Sequence, residues 1–162
     1  MNLWKRILKM NGRQLFRFGM LFLKNPLLVI PTFRASTSTI KVCNELFGKR
    51  HHTNRKENAF RHALWNLEIC IFCQKRFKND EKTTIWAEKV TNMYEKVTQN
   101  DPLDEAMDCH NNAIGRKLFL SHFAQKTDNM IVFLLKMMEN SVKIEKIEEI
   151  NNCQDKLVYI SD

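Results

Sequence analysis

Asn58-Ala59-Phe60-Arg61-His62-Ala63-Leu64-Trp65-Asn66 opens the stretch on which the reading of this chain turns. From Asn58 to Phe77 there is neither Gly nor Pro, and apolar residues recur around every side of a helical wheel. A helix of that kind lies at the centre of a domain, so residues 57–77 are the expected central helix. Its few polar side chains then have to find partners on the elements around it. His62 and Asn66, four residues apart, share one face and head that list.

Working outward, four Gly and three Pro in 162 residues are too few for a turn-rich sandwich or barrel. The expectation is an all-α protein, residues 1–162 forming a single compact helical domain of six to seven helices. A basic amphipathic helix over residues 2–23 stops before Asn25-Pro26. Leu27–Ile30 is a short apolar run, and Thr37-Ser38-Thr39 is read as the cap of a second helix that Gly48 closes. Lys49 to Lys56 is a polar basic loop in which His51 and His52 are expected to be solvated. A fourth helix over residues 83–98 carries Ile85, Trp86, Val90, Met93 and Val97 on one stripe. Asp101-Pro102, a cap followed by an N1 proline, starts a fifth helix that runs to about residue 123. Thr127 or Asp128 caps a sixth, with Met130, Ile131, Phe133, Leu134, Met137 and Met138 toward the core. Residues 141–150 suggest a short last helix, and Leu157–Ile160 a strand-like or unordered tail.

Apolar residues make up 44% of the chain, enough for a packed core at this length. Five cysteines, an odd number, include Cys70, Cys73 and Cys109 inside helix-like segments. That usage fits a reducing compartment, so a cytoplasmic location is expected. Cys70-Ile71-Phe72-Cys73 sits among apolar residues and is read as core packing. Arg13, Arg17 and Lys24 interrupt the apolar runs, leaving no stretch near the roughly 18 residues of a spanning helix. The net charge of +8 divides unequally: residues 1–78 hold 16 Lys/Arg against 3 Asp/Glu, residues 79–162 hold 10 against 15. The basic half suits an acidic partner or an anionic surface, or simply attracts the acidic half within the fold.

The fifth helix carries the second polar group, Met107-Asp108-Cys109-His110-Asn111-Asn112-Ala113-Ile114-Gly115-Arg116. Asp and Asn compete with the helix backbone for hydrogen bonds, so three of them at mid-helix point to a task other than helix formation. Gly115 leaves room for a backbone or a ligand to come close. Ala106, Met107, Ala113, Ile114 and Leu118 are the expected core stripe. The fourth helix adds Glu95, with Thr91 and Glu88 one and two turns before it. Three readings follow. In the first, His62 is a general base oriented by Asp108, with Asn66, Asn111 and Asn112 lining the site, and Arg61 and Arg116 binding an anionic substrate group. In the second, His62, Glu95 and Asp108 hold a divalent metal. In the third, the cluster is a satisfied polar network that sets helix register.

These two segments resemble an uncharacterised bacterial domain family. In it a helix close to Asn-Ala-Phe-Arg-His-Ala-x-Trp-Asn precedes one close to Met-Asp-x-His-Asn-Asn-x-x-Gly-Arg. Here they are Asn58–Asn66 and Met107–Arg116, and the resemblance covers about residues 50–120, within a motif core of about 50–125. Members commonly have a His-Glu pair between the motifs, where this chain has Tyr94-Glu95. Similar domains end larger secreted or toxin-like proteins, which implies enzymatic activity, a hydrolase-like or metal-dependent enzyme being the leading expectation. The alternative is a non-enzymatic binding domain, of immunity or regulatory type, acting through the basic N-terminal surface.

Overall fold

A computed structural model describes residues 12–98, 101–121 and 129–162, without the side chains of residues 14, 15, 17, 18, 97 and 98. Its helices are α1 (Gly12–Leu23), α2 (Val29–Phe47), α3 (Lys56–Phe77), α4 (Asp80–Thr98), α5 (Pro102–Leu120) and α6 (Met130–Glu139). A two-residue parallel pair, β1 (Val142–Lys143) and β2 (Val158–Tyr159), completes the chain around a 3₁₀ turn at Ile147–Asn152. Among the described residues the domain is otherwise helical, this two-stranded pair being the one small sheet. The first part of the expected 2–23 helix, and the Thr127 and Asp128 caps, lie outside the described residues. The side chain that caps α6 is Asn129, which accepts from the Val132 amide at 3.1 Å. Among the described residues, no helix is long and apolar enough to cross a membrane.

α3 is the axis of the fold. Every residue from Asn58 to Cys70 is buried, and α2, α4, α5 and α6 all pack against it. Lys78 ends it in the left-handed region, at φ 51°, and Gly48 ends α2 at φ 61°. Trp65 and Tyr94 meet edge to face on the α4 side, and Phe47 and Phe60 do so on the α2 side. Cys70 and Cys73 are free and fully buried, and burial pushes the Cys70 thiol up to about 12, as core cysteines require.

Several boundaries differ from the sequence expectation, for identifiable reasons. α2 begins at Val29, not at the Thr37-Ser38-Thr39 group, because Pro31 falls in the first turn, where a missing amide costs nothing. Those residues lie mid-helix, where Thr37 donates to carbonyls of its own helix while other hydroxyls of α2 meet α3 and α4. Thr32 Oγ1 accepts from Trp86 Nε1 at 2.9 Å, and Ser36 Oγ accepts from Trp65 Nε1 at 2.8 Å. Ser38 and Thr39 donate to the two carboxylate oxygens of Glu68. The basic loop forms a 3₁₀ turn that tucks His51 fully into the interior, contrary to its expected solvation. Ile85 and Ala113, expected in the core, are exposed, whereas Trp86, Val90, Met107 and Ile114 are buried. Of the short helix expected within residues 141–150, the second half is present as the 3₁₀ helix Ile147–Asn152, whereas Val142–Lys143 is β1, because β2 supplies it with a partner strand and Asn111 anchors β2.

α5 comes very close to α3 at Gly115. A Cβ added there would sit 2.2 Å from the Ala63 carbonyl oxygen, a backbone atom that cannot swing aside. Gly115→Ala is expected to cost about 1–3 kcal/mol in urea unfolding through overpacking. Gly19→Ala, on α1 with nothing within 4 Å of the new methyl, is expected to add up to about 1 kcal/mol by helix propensity.

Candidate functional site

The contact at Gly115 brings the polar face of α5 against the polar face of α3, and α4 closes the third side. Asn58, His62 and Asn66 are spaced by four on α3, and Asp108 and Asn112 by four on α5, so each set projects from one face. From α4, Glu88, Thr91 and Glu95 reach the same group. His62, Asn66 and Asn112 are 0% exposed, Glu95 1% and Asp108 4%. Burying this many polar and charged groups is costly unless each one has a partner.

The partners can be followed from the arginines, which only donate. Arg116 Nη1 donates to Asn66 Oδ1 at 3.0 Å, and Nη2 pairs with Glu88 at 3.3 Å. That fixes the amide of Asn66, whose Nδ2 donates to Asn112 Oδ1 at 2.6 Å. Asn112 is fixed in turn, and its Nδ2 donates to Glu95 Oε1 at 3.4 Å. His62 Nδ1, 3.1 Å from Asn112 Oδ1, therefore faces an acceptor and carries a proton. Glu95 Oε1 is 3.6 Å from the same nitrogen. Nε2 meets opposing demands: Arg61 Nη2 approaches it at 2.7 Å and Asp108 Oδ1 at 3.1 Å. A guanidinium donor favours a lone pair there, and a carboxylate favours a proton. Asn58 links the two, donating to Asp108 Oδ1 at 3.0 Å and accepting from Arg61 Nη2.

The structure thus assembles His62, Asp108, Asn112, Asn66, Glu95 and Arg61 in one place, with Arg116 one step out on Asn66. Asn111 is elsewhere. Consecutive helical residues point about 100° apart, so Asn112 facing His62 turns Asn111 toward the C-terminal strand. There Asn111 accepts from the Val158 amide at 3.0 Å and donates to its carbonyl at 2.8 Å, which turns its amide away from His62. Arg61 and Arg116 are both bound inside the protein. Burial lowers the Arg116 pKa, the Glu88 carboxylate opposing that effect.

Asn58 belongs to the cluster and was not singled out from the sequence, although its place four residues before His62 is the signal. Glu68 was also missed. It is 6% exposed, with its carboxyl pKa raised by burial against the opposing Ser38 and Thr39 hydroxyls. Beside Arg61 lies a cavity of about 10 Å³ with Ser36, Thr39, Ile40, Trp65 and Tyr94 around it, about the space of one water. His62, Glu95 and Asp108 offer ligand atoms that all lie within 4.8 Å of one another, a grouping that can hold a metal ion.

These features define an all-helical domain built around a buried histidine, carboxylate and carboxamide centre. The family model described as a domain of unknown function (DUF6973) matches residues 19–142, and the chain belongs to that family. The match takes in α2 to α6 and every residue of the buried centre, and ends before β2. No curated protein and no solved structure matches the chain.

His51 supports the centre from outside. Its Nε2 lies 2.9 Å from Asn44 Oδ1, and its carbonyl accepts from Arg61 Nε at 3.0 Å. Burial, with His52 and Arg61 adding charge repulsion, lowers its pKa to about 3 from 6.5. A depressed folded-state pKa means stability that is present above pH 6.5 and lost as pH falls toward 3, as the unfolded chain takes up the proton. Thermal melts from pH 7 to pH 4 are therefore expected to show a fall in Tm that is smaller in His51→Gln than in the wild type.

Proposed function

We propose that this domain is a small hydrolase-like enzyme in which His62 Nε2 transfers the proton. Asn112 and Asn66 hold the ring through Nδ1, and Asp108 lies across Nε2 to orient it and offset charge on it. Arg61 supplies positive charge where an oxyanion would form, and Asn58 sets the spacing between Arg61 and Asp108. Arg116 acts on the site only by fixing Asn66. Asn111, turned to Val158, has no chemical part in this reading.

One observation carries the proposal: a buried imidazole with one nitrogen committed and the other set between a carboxylate and a guanidinium. Such an arrangement is expensive to keep in a protein interior, and apolar residues of similar volume would stabilise the helices at least as well. Enzymes accept that cost to place an acid–base group. The grouping of His62, Glu95 and Asp108 favours a second form of the same proposal. There a divalent metal, suited to one imidazole and two carboxylates, would polarise substrate or water in the bundle interior.

Metal content and thermal stability of the purified protein, measured beside His62→Ala and Asp108→Ala, separate the readings. Stoichiometric divalent metal that both variants lose supports the metal-dependent form. Without metal, the acid–base form predicts turnover on a panel of chromogenic acyl and phosphate esters that drops ~100-fold or more in His62→Ala. No turnover and no metal, with strong destabilisation in both variants, would overturn the enzyme reading and leave a network that holds helices together.

A further inference from the structure

A cavity between α2 and α3 lies at the start of one helix and the end of the other, and His62 is not among its lining residues. It is a groove of about 490 Å³ lined by Pro26, Leu27, Ile30 and Arg34 on one side and by Phe72, Lys75 and Arg76 on the other. Its apolar rim is exposed: Leu27 is 68% accessible and Ile30 64%. Leu23 and Phe16, two turns apart on α1, are exposed to a similar degree. Four large apolar side chains this open between residues 16 and 30 are more than the single scattered residue that needs no explanation.

The charged residues that line the groove, Arg34, Lys75 and Arg76, are all cations. Arg13, Lys24, Arg34, Lys75 and Arg76 are all exposed, and no Asp or Glu occurs anywhere before Glu45. Cations beside exposed aliphatic and aromatic side chains match one kind of surface, in which anionic groups overlie an apolar phase. Nucleic acid would answer the cations but would leave Leu27 and Ile30 in water. We infer that this groove and the exposed face of α1 dock the domain onto an acidic phospholipid bilayer. Leu23, Leu27 and Ile30 enter the interface while Lys24, Arg34, Lys75 and Arg76 meet the headgroups. The domain lies on the bilayer through paired weak attractions, apolar insertion and cationic contact, neither of which holds it alone. This inference does not depend on the chemistry proposed for His62.

Sedimentation of the full chain with lipid vesicles tests it. Binding is expected to vesicles containing phosphatidylserine, to be far weaker on pure phosphatidylcholine, and to fall as salt is raised. Arg34→Gln, Lys75→Gln and Arg76→Gln together are expected to lower partitioning ~100-fold. Leu27→Asp with Ile30→Asp is expected to lower it to the phosphatidylcholine level, with an unchanged melting temperature since both residues are exposed. Equal binding to both vesicle types, or none, would overturn the inference. So would acidic-vesicle binding that Leu27→Asp with Ile30→Asp leaves intact, which would mark a purely electrostatic surface. A wild-type dimer that those two substitutions dissociate would instead assign the face to a second copy of the chain.

Discussion

The approach of Gly115 on α5 to the Ala63 carbonyl on α3 is the constraint on which the rest depends. Any side chain at residue 115 would press on that carbonyl, and the contacts that span the two helices from His62 to Asp108 and Asn112 rest on the same close approach. Glycine costs a helix interior up to about 1 kcal/mol relative to alanine. The domain accepts that local cost because the close packing lets polar groups on three helices satisfy one another.

The polar centre has a direction as well as a composition. It starts from two arginines that can only donate, and each amide it reaches is left with one consistent orientation. Asn66 and Asn112 act as relays, passing the directionality of Arg116 to the imidazole. Arg61 enters from the opposite side, steadied by the His51 carbonyl and by Asn58. His62 is therefore held from both ends, and the two ends make different demands on it. The same logic explains why Asn111, one residue from Asn112, has another role: it ties the C-terminal strand to α5, so the small sheet is held by a helix side chain as well as by its own ladder.

Much of this was legible in the sequence because helical periodicity carries it. The central place of α3 followed from its lack of a polar face, and the meeting of His62, Asp108, Asn112, Asn66 and Glu95 from spacings of four on helices too apolar to hide polar residues in any other way. Gly115 announced a close approach by its position on the same side of α5. What could not be read were the features set by tertiary partners. The Thr and Ser residues of α2 have the composition of a cap, and only the indoles of Trp65 and Trp86 and the carboxylate of Glu68 show why they lie mid-helix. His51 stands in a basic stretch, and nothing local reveals that Asn44 and Arg61 draw it inside. Leu157–Ile160 could be read only as strand-like or unordered, because the order of β2 comes from β1 and from Asn111 on another helix.

The central claim is that His62 is locked with its proton on Nδ1 while Nε2 lies between Asp108 and Arg61. Nitrogen NMR of the imidazole in protein labelled at histidine reads that directly. The account predicts that His62 Nδ1 keeps a proton, slow to exchange with water, from neutral pH upward for as long as the fold persists. An Nε2–H tautomer, or the rapid tautomeric averaging of a solvated ring, would contradict it.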